Sequence, residues 1–460
     1  MPSTYLARSI FRLAWPVFIA QIAIMASAVL DTAMVGRYGA VDLAAIGIGS
    51  SIYFTVFIAL VGIVQALSPI AAQLHGAGKD AQIGEEVRQT VWIALGLTVI
   101  GAGVLGMPGP FLDFSGAPDP VQVRVREYLA WIALSLPPTL LFRVFYSLTT
   151  AVSRPRAVMM LNLVYFAIKA PLTWCFIYGA FGIPEMGGPG AGLATAIASW
   201  CICAAACLAC LRDPFYRPFQ VFARWSWPDW TIIRTHLRLG VPMGLTFFVE
   251  VTSFTFMALF LARLGAATSA AHQIAANVSA VLYMVGLAIG NATGVLTAQA
   301  IGRGNWQDAR RTGLAGMGMC LSVGIAAAGV LSYEAAGIAG LYTRDPAVSR
   351  IATGLLAFVA FYQLMDALQA VIVNALRGYR VAFVPMLVYT ISLWGLGLGG
   401  GYLIGLTDWP AAAALGLPVP MGAAGFWLSA FVSVAVAALI LFGYFLRVSG
   451  RASAAARGHQ

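Results

Sequence analysis

Apolar runs of about twenty residues recur from one end of this chain to the other, separated by short stretches rich in Arg, Asp, Pro and Gly. A helix of that length crosses the hydrocarbon layer with its backbone polar groups paired internally, so each run is read as a membrane span. Twelve are expected, at 10–35, 43–72, 91–112, 127–150, 157–181, 191–212, 237–262, 270–299, 312–338, 351–376, 381–406 and 422–447. The first follows Arg8 and Arg12, lacks a small-residue cleavage site and continues past Pro16 to Asp31, which reads as a retained helix rather than a removable signal peptide. The expected fold is an all-α polytopic membrane protein.

Composition excludes the soluble classes. With 60% hydrophobic and 10% charged residues among 460, lipid must be the solvent. Numbering the loops alternately puts nineteen of the 27 basic residues on the N-terminal side of the membrane and six on the other, with Arg143 and Lys169 inside spans. The positive-inside rule then places both termini in the cytoplasm. That topology also accounts for the net charge of +10, since the bases are spread over separate segments and no nucleic-acid partner is expected. All six cysteines fall in spans, four of them in one helix without His or acidic partners, which reads as packing.

Displacing the sequence on itself by 226 residues pairs Arg12, Leu13 and Pro16 with Arg238, Leu239 and Pro242. The same shift pairs Arg37, Gly39 and Ala40 with Arg263, Gly265 and Ala266, and Ala72, Gln73, Gly76 and Gly78 with Ala298, Gln299, Gly302 and Gly304. One offset holding this far marks an internal repeat. Six spans per half make the halves parallel repeats about an axis along the membrane normal. The expected organisation is an N-lobe at 1–212, a basic cytoplasmic linker at 213–236, a C-lobe at 237–447 and a cytoplasmic tail at 448–460. Two six-helix lobes suit alternating access around a central site, although a duplicated bundle also serves as a channel or an enzyme scaffold.

An ionisable residue at a span centre costs about 2.5 to 3.5 kcal/mol on translocon scales, so buried charges are functional candidates. Asp31, Arg143, Lys169, Glu250 and Asp366 qualify. Tyr362 and Asp366, four apart, share a helix face, and Gln363, Gln369 and Asn374 extend a polar stripe along it. Glu250, Asp366 and the Tyr362 phenol could line a pocket for Na+, share a proton, or form a structural hydrogen-bond network. Lys169, one of only two lysines, lies in the apolar run LVYFAIKAPLTW, where it either pairs with Asp31 or snorkels to an interface. Pro16, Pro138, Pro171 and Pro242 are expected to bend their helices. No Walker-type loop, HExxH, GxSxG or acidic metal–diphosphate motif is present, which argues against an ATP-driven pump or an enzyme.

The stretches LDTAMVGRYG, PIAAQLHGAG, FIYGAFGIPEMGGPGAGLATAI, FFVEVTSF, GAATSAAHQIAANVS, YQLMDALQ and ALRGYR resemble the NorM-like branch of the MATE family, in its order and spacing and nearly end to end. The resemblance implies two six-helix lobes around a central V-shaped cavity. It also implies export of amphipathic, often cationic, organic compounds in exchange for Na+ or H+ by a rocker-switch cycle, without other cofactors, in the bacterial inner membrane. It puts Glu250, Tyr362 and Asp366 at the C-lobe cation positions and Asp31 at the N-lobe coupling position. Lys169 and Thr173 depart from the family's usual Asn residues, so the N-lobe site is expected to be altered. Lys169, Thr173, Gln363, Phe247, Phe254 and Met257 are candidate substrate contacts, and His272 is expected to cap a helix or join a hydrogen-bond network. The chain is expected to work as a monomer in the lipid bilayer. A related alternative, a flippase for a lipid-linked oligosaccharide, needs a basic cavity, for which Arg143 and Lys169 are the available residues.

Overall fold

The computed structural model describes residues 3–410, 414, 416 and 418–458, the side chains of 3, 4, 114, 115, 181 and 455–458 excepted. The side chain of Arg457, counted above among the cytoplasmic bases, and residues 459–460 of the expected tail therefore lie outside the described residues. Every regular element among the described residues is helical. In chain order the helices are α1 (Ser3–Tyr38), α2 (Ala40–Val64), α3 (Leu67–Gly76), α4 (Asp80–Gly106), α5 (Gly109–Ser115), α6 (Asp119–Ala133), α7 (Leu136–Ala151), α8 (Pro155–Tyr178) and α9 (Gly188–Arg212). After the segment 213–229 follow α10 (Trp230–Ala262), α11 (Ala266–Gly302), α12 (Trp306–Tyr333), α13 (Ala335–Tyr342), α14 (Pro346–Gly378), α15 (Phe383–Tyr389), α16 (Gly400–Leu406) and α17 (Ala423–Gly458). Eleven helical stretches are long and apolar enough to cross a membrane, α2 running on into α3 and α15 into α16 as single stretches. The pair α6 and α7, bent by 45° at its break, makes the twelfth. Pro137 and Pro138 explain that bend, because they lack the N–H groups that would bond the carbonyls of Ala133 and Leu134. Helix α17 continues unbroken through 448–458, the described part of the expected tail.

The chain forms two compact units whose borders fall inside helices. One, the N-unit, is Ile19–Gly244; the other, the C-unit, is Met1–Phe18 together with Leu245–Gln460. The chain thus changes unit two residues after Pro16 in α1 and two residues after Pro242 in α10, at positions related by the repeat offset. The segment 213–236, read as a joint between lobes, packs wholly within the N-unit. The first half of α1 supplies Ile10, Ala14 and Val17 to the C-unit core, beside Val249, Ile289, Val371 and Phe445. The first half of α10 is bound into the N-unit through its own contacts. Gly240 and Gly244 lie so close to α2 that a Cβ on either would stand 2.5 Å from the carbonyl oxygen of Ile63 or Ala59. Small residues four apart allow this backbone approach, which is how helices gain contact where lipid offers no hydrophobic drive. His236, fully buried, holds Glu86 Oε2 at 2.6 Å from its Nε2.

In the C-unit the same device joins α11 to α14. A Cβ on Gly286 would meet Ala367 of α14 at 2.8 Å, and Cβ atoms on Gly290 and Gly294 would meet Asn374 at 3.0 and 2.6 Å. This close seam sets which face of α14 looks inward, and so positions its polar stripe. Between α15 and α16 the helix widens into a π-helical stretch, Thr390–Gly399, carrying Trp394, whose indole N–H reaches the carbonyl of Val249 at 3.3 Å.

Candidate functional site

In the N-unit α8 brings Lys169 and Thr173, one turn apart, against α1. The Lys169 ammonium donates to Asp31 Oδ2 at 2.6 Å, and the Thr173 hydroxyl to Asp31 Oδ1 at 3.3 Å. Side-chain exposure is 6% for Lys169 and 14% for Asp31, so the ion pair is withdrawn from solvent, and snorkelling to an interface does not occur. The ammonium also stands 5.7 Å from the centre of the Tyr165 ring. Arg143 makes a different contact, with its guanidinium 5.2 Å from the Tyr146 ring centre.

In the C-unit α10 and α14 bring Glu250 and Asp366 within electrostatic reach of one another. Asp366 is buried and Glu250 half-buried. The Tyr362 hydroxyl donates to Asp366, and the Tyr283 hydroxyl, from α11, donates to Glu250. Tyr389 lies within electrostatic reach of both carboxylates. Gln363 fixes the α11 side of the group. With its amide turned so that nitrogen donates to Ser279 Oγ at 3.2 Å, its oxygen accepts from the backbone N–H of Tyr283 at 3.1 Å. Two carboxylates with three phenols around them can hold a monovalent cation among oxygens, or a proton shared between acids. Among the described residues no group of three or more His, Cys, Asp or Glu side chains is placed to hold a metal, so Na+ here would rely on neutral oxygens for most of its shell.

Three participants escaped the sequence reading. Tyr283 carried a weak signal, since Ser279 and Tyr283 are spaced four apart on an apolar helix. Tyr389 carried none. Arg377, counted above with the cytoplasmic loop bases, is buried at the end of α14, where its guanidinium lies 4.9 Å from the Phe247 ring centre, bonds Asn374 Oδ1 at 3.4 Å and exerts its charge on Glu250.

The candidate substrate residues divide between the two units. Phe254 packs edge-on against Tyr362, with centroids 6.0 Å apart, and Trp427 contacts both rings. Met257 joins Phe254 and Tyr362 around a cavity of about 20 Å³, room for little more than one water. A larger cavity of about 410 Å³ opens between the first turns of α11 and the connection from α13 to α14, lined by Gln273, Asn277, Tyr342 and Asp345 among others. That volume suits a small organic molecule. His272 Nδ1 has no hydrogen-bond partner among the described residues, and the ring lies 5.8 Å from that of Trp427.

Known proteins resemble this chain over nearly its whole length. The family pattern MatE matches residues 16–175 and 242–403, so its two copies begin at Pro16 and Pro242. "Probable multidrug resistance protein NorM" of Aromatoleum aromaticum is 42% identical, over 96% of this chain and 94% of its own. "Multidrug resistance protein PmpM" of Pseudomonas aeruginosa is 35% identical, over 94% of this chain and 90% of its own. Among solved structures, the Vibrio cholerae MATE transporter VcmN in its bent form superposes with a TM-score of 0.85 at 20% identity, covering 98% of both chains.

Proposed function

Because the chain belongs to the MatE family, we propose that it is a secondary active antiporter that exports amphipathic, often cationic, organic compounds in exchange for Na+ or H+ by rocker-switch alternating access. It is a multi-pass membrane protein. The bacterial inner membrane, with both termini cytoplasmic, is the setting that its basic residues favour.

The observation that carries the reading is the pair Glu250 and Asp366, two acids meeting within the spans with phenols as their hydrogen-bond donors. Two adjacent carboxylates are costly to keep charged away from water, and a cation entering between them relieves that cost. A cationic substrate drawn by the same charge competes with the ion. Linkage then requires the ion to weaken the substrate by the same free energy as the substrate weakens the ion.

In the N-unit, the Lys169 ammonium occupies Asp31 as a tethered cation, and this supports placing the exchange on the C-unit carboxylates. The same pairing weighs against the lipid-linked oligosaccharide flippase. Lys169 is neutralised by Asp31, which leaves Arg143, lying over Tyr146, as the one remaining base of the two for a diphosphate.

The test is transport of a fluorescent cationic dye by inside-out proteoliposomes under separately imposed Na+ and pH gradients, for the wild type and Asp366→Asn. Gradient-driven dye movement that is lost in the variant is the expected result and identifies the ion. Transport preserved in Asp366→Asn and lost in Asp31→Asn would move the exchange to the N-unit.

A further inference from the structure

The segment between α9 and α10 carries a cluster of exposed tryptophans to which the proposed function assigns no part. Trp225, Trp227 and Trp230 are 72%, 77% and 69% exposed, with Phe222 at 55%. Their backbone is held in place by α4. Gln89 donates to the carbonyl of Trp227 at 2.9 Å and accepts from the N–H of Asp229 at 2.8 Å. The Trp92 indole donates to the carbonyl of Ser226 at 3.0 Å, and its ring stacks on Trp227 and meets Trp225 edge-on. Arg88 bonds the carbonyls of Gln220 and Val221, and both Arg88 and Ser226 bond Glu85.

These anchors fix the height of the cluster in the membrane. Arg88 is the last charged residue of α4, and an uncharged run begins at Gln89 and continues to Gly106. Trp92 marks the first turn of that run, so the tryptophans sit level with the boundary between charged and apolar helix. Amphipathic indoles favour that headgroup level. Around them Arg217, Arg234 and Arg238 are exposed, as is Arg224, which is paired with Glu85 at 3.1 Å. The nearby acids are already engaged: Asp213 with Arg154 at 2.7 Å, and Asp229 with the N–H of Thr231 at 2.8 Å. The backbone N–H of Phe215, and then Arg154, hold the Asp213 carboxyl below its usual range, so it stays ionised.

We infer that this segment is a rigid membrane-surface shelf that binds the headgroups of anionic phospholipid, with the indoles at the glycerol level and the arginines on the phosphates. Flexible aromatic loops lose entropy on docking, whereas this one is already ordered by α4. Positive charge selects anionic over zwitterionic headgroups.

Native mass spectrometry of the full-length protein, titrated with phosphatidylglycerol or phosphatidylcholine, tests the inference. The wild type is expected to retain phosphatidylglycerol preferentially. Arg217→Gln with Arg234→Gln should lower that retention by about fivefold per arginine while leaving phosphatidylcholine unchanged. Both side chains are exposed and hold no ion pair among the described residues, so the fold should persist, as an unshifted melting temperature would verify. Trp225→Gln with Trp230→Gln should lower retention of both lipids. Hydroxyl-radical oxidation of Trp225 and Trp230 should be slower in phosphatidylglycerol nanodiscs than in phosphatidylcholine nanodiscs. A wild type without lipid preference, or a preference unchanged in the arginine variant, would overturn the inference. So would oxidation equal in both nanodiscs and slowed only by added cytosolic protein, which would make the shelf a protein-docking surface.

Discussion

The Lys169 ammonium nitrogen lies 2.6 Å from Asp31 Oδ2, joining residues 138 apart in sequence within the N-unit. Breaking a buried pair by removing one partner leaves the other charge uncompensated, which typically costs about 3 to 5 kcal/mol, whereas removing both is far milder. Lys169→Met and Asp31→Asn are each expected to destabilise the protein by that order. The double variant should be more stable than either single one, as denaturant unfolding in detergent would measure.

Tyr283 should govern ion affinity more than Tyr389, because its hydroxyl donates directly to Glu250. A hydrogen bond to a charged group contributes about 1.5 to 3 kcal/mol. Tyr283→Phe is therefore expected to shift the affinity for the coupling ion by roughly one to two orders of magnitude, with a proton held more tightly because the bare carboxylate has lost its donor, read as the ion concentration giving half-maximal dye transport. Tyr389→Phe should have a smaller effect.

The seam between α11 and α14 predicts a sharp contrast between two glycines. A Cβ on Gly294 would stand 2.6 Å from the backbone oxygen of Asn374, an atom that moves only with its helix, whereas a Cβ on Gly318 of α12 would meet nothing within 4 Å. Gly294→Ala should cost about 1 to 3 kcal/mol by overpacking. Gly318→Ala should be neutral or stabilising by up to about 1 kcal/mol, the helix-propensity gain of Ala over Gly. Thermal unfolding of both variants in the same detergent is the check.

His236 binds the start of α10 to α4, with Nε2 on Glu86 and Nδ1 3.3 Å from Thr90 Oγ1. His236→Ala removes the partner of Glu86 Oε2 and one of the two contacts of Thr90 Oγ1, and is expected to cost about 1 to 3 kcal/mol. The loss is local, so proteolysis within 213–229 should accelerate before global stability falls far. An unchanged cleavage rate at Arg224 would mean that the contacts of Glu85, Arg88, Gln89 and Trp92 hold the shelf without His236.

Much of the architecture was legible in the residues. Hydrophobic run length set the spans, because a helix must cross a fixed thickness of hydrocarbon. The 226-residue offset exposed the repeat, and Pro137 and Pro138 explain the bend between α6 and α7. On the candidate site, the four-residue spacing of Tyr362 and Asp366 placed phenol and acid on one helix face, since helical periodicity is local.

What the sequence by itself determined, then, was which segments are helices, how they repeat, and which charges lie within the spans. The tertiary structure alone decided that the chain changes unit within α1 and α10 rather than in the segment 213–236, that Tyr283, Tyr389 and Arg377 join Glu250, and that Lys169 is spent on Asp31. The reason is that spacing along one helix is dictated by its own geometry. The meeting of side chains from different helices depends on how closely and at what rotation those helices pack, and that is set by glycine contacts many residues away in the chain.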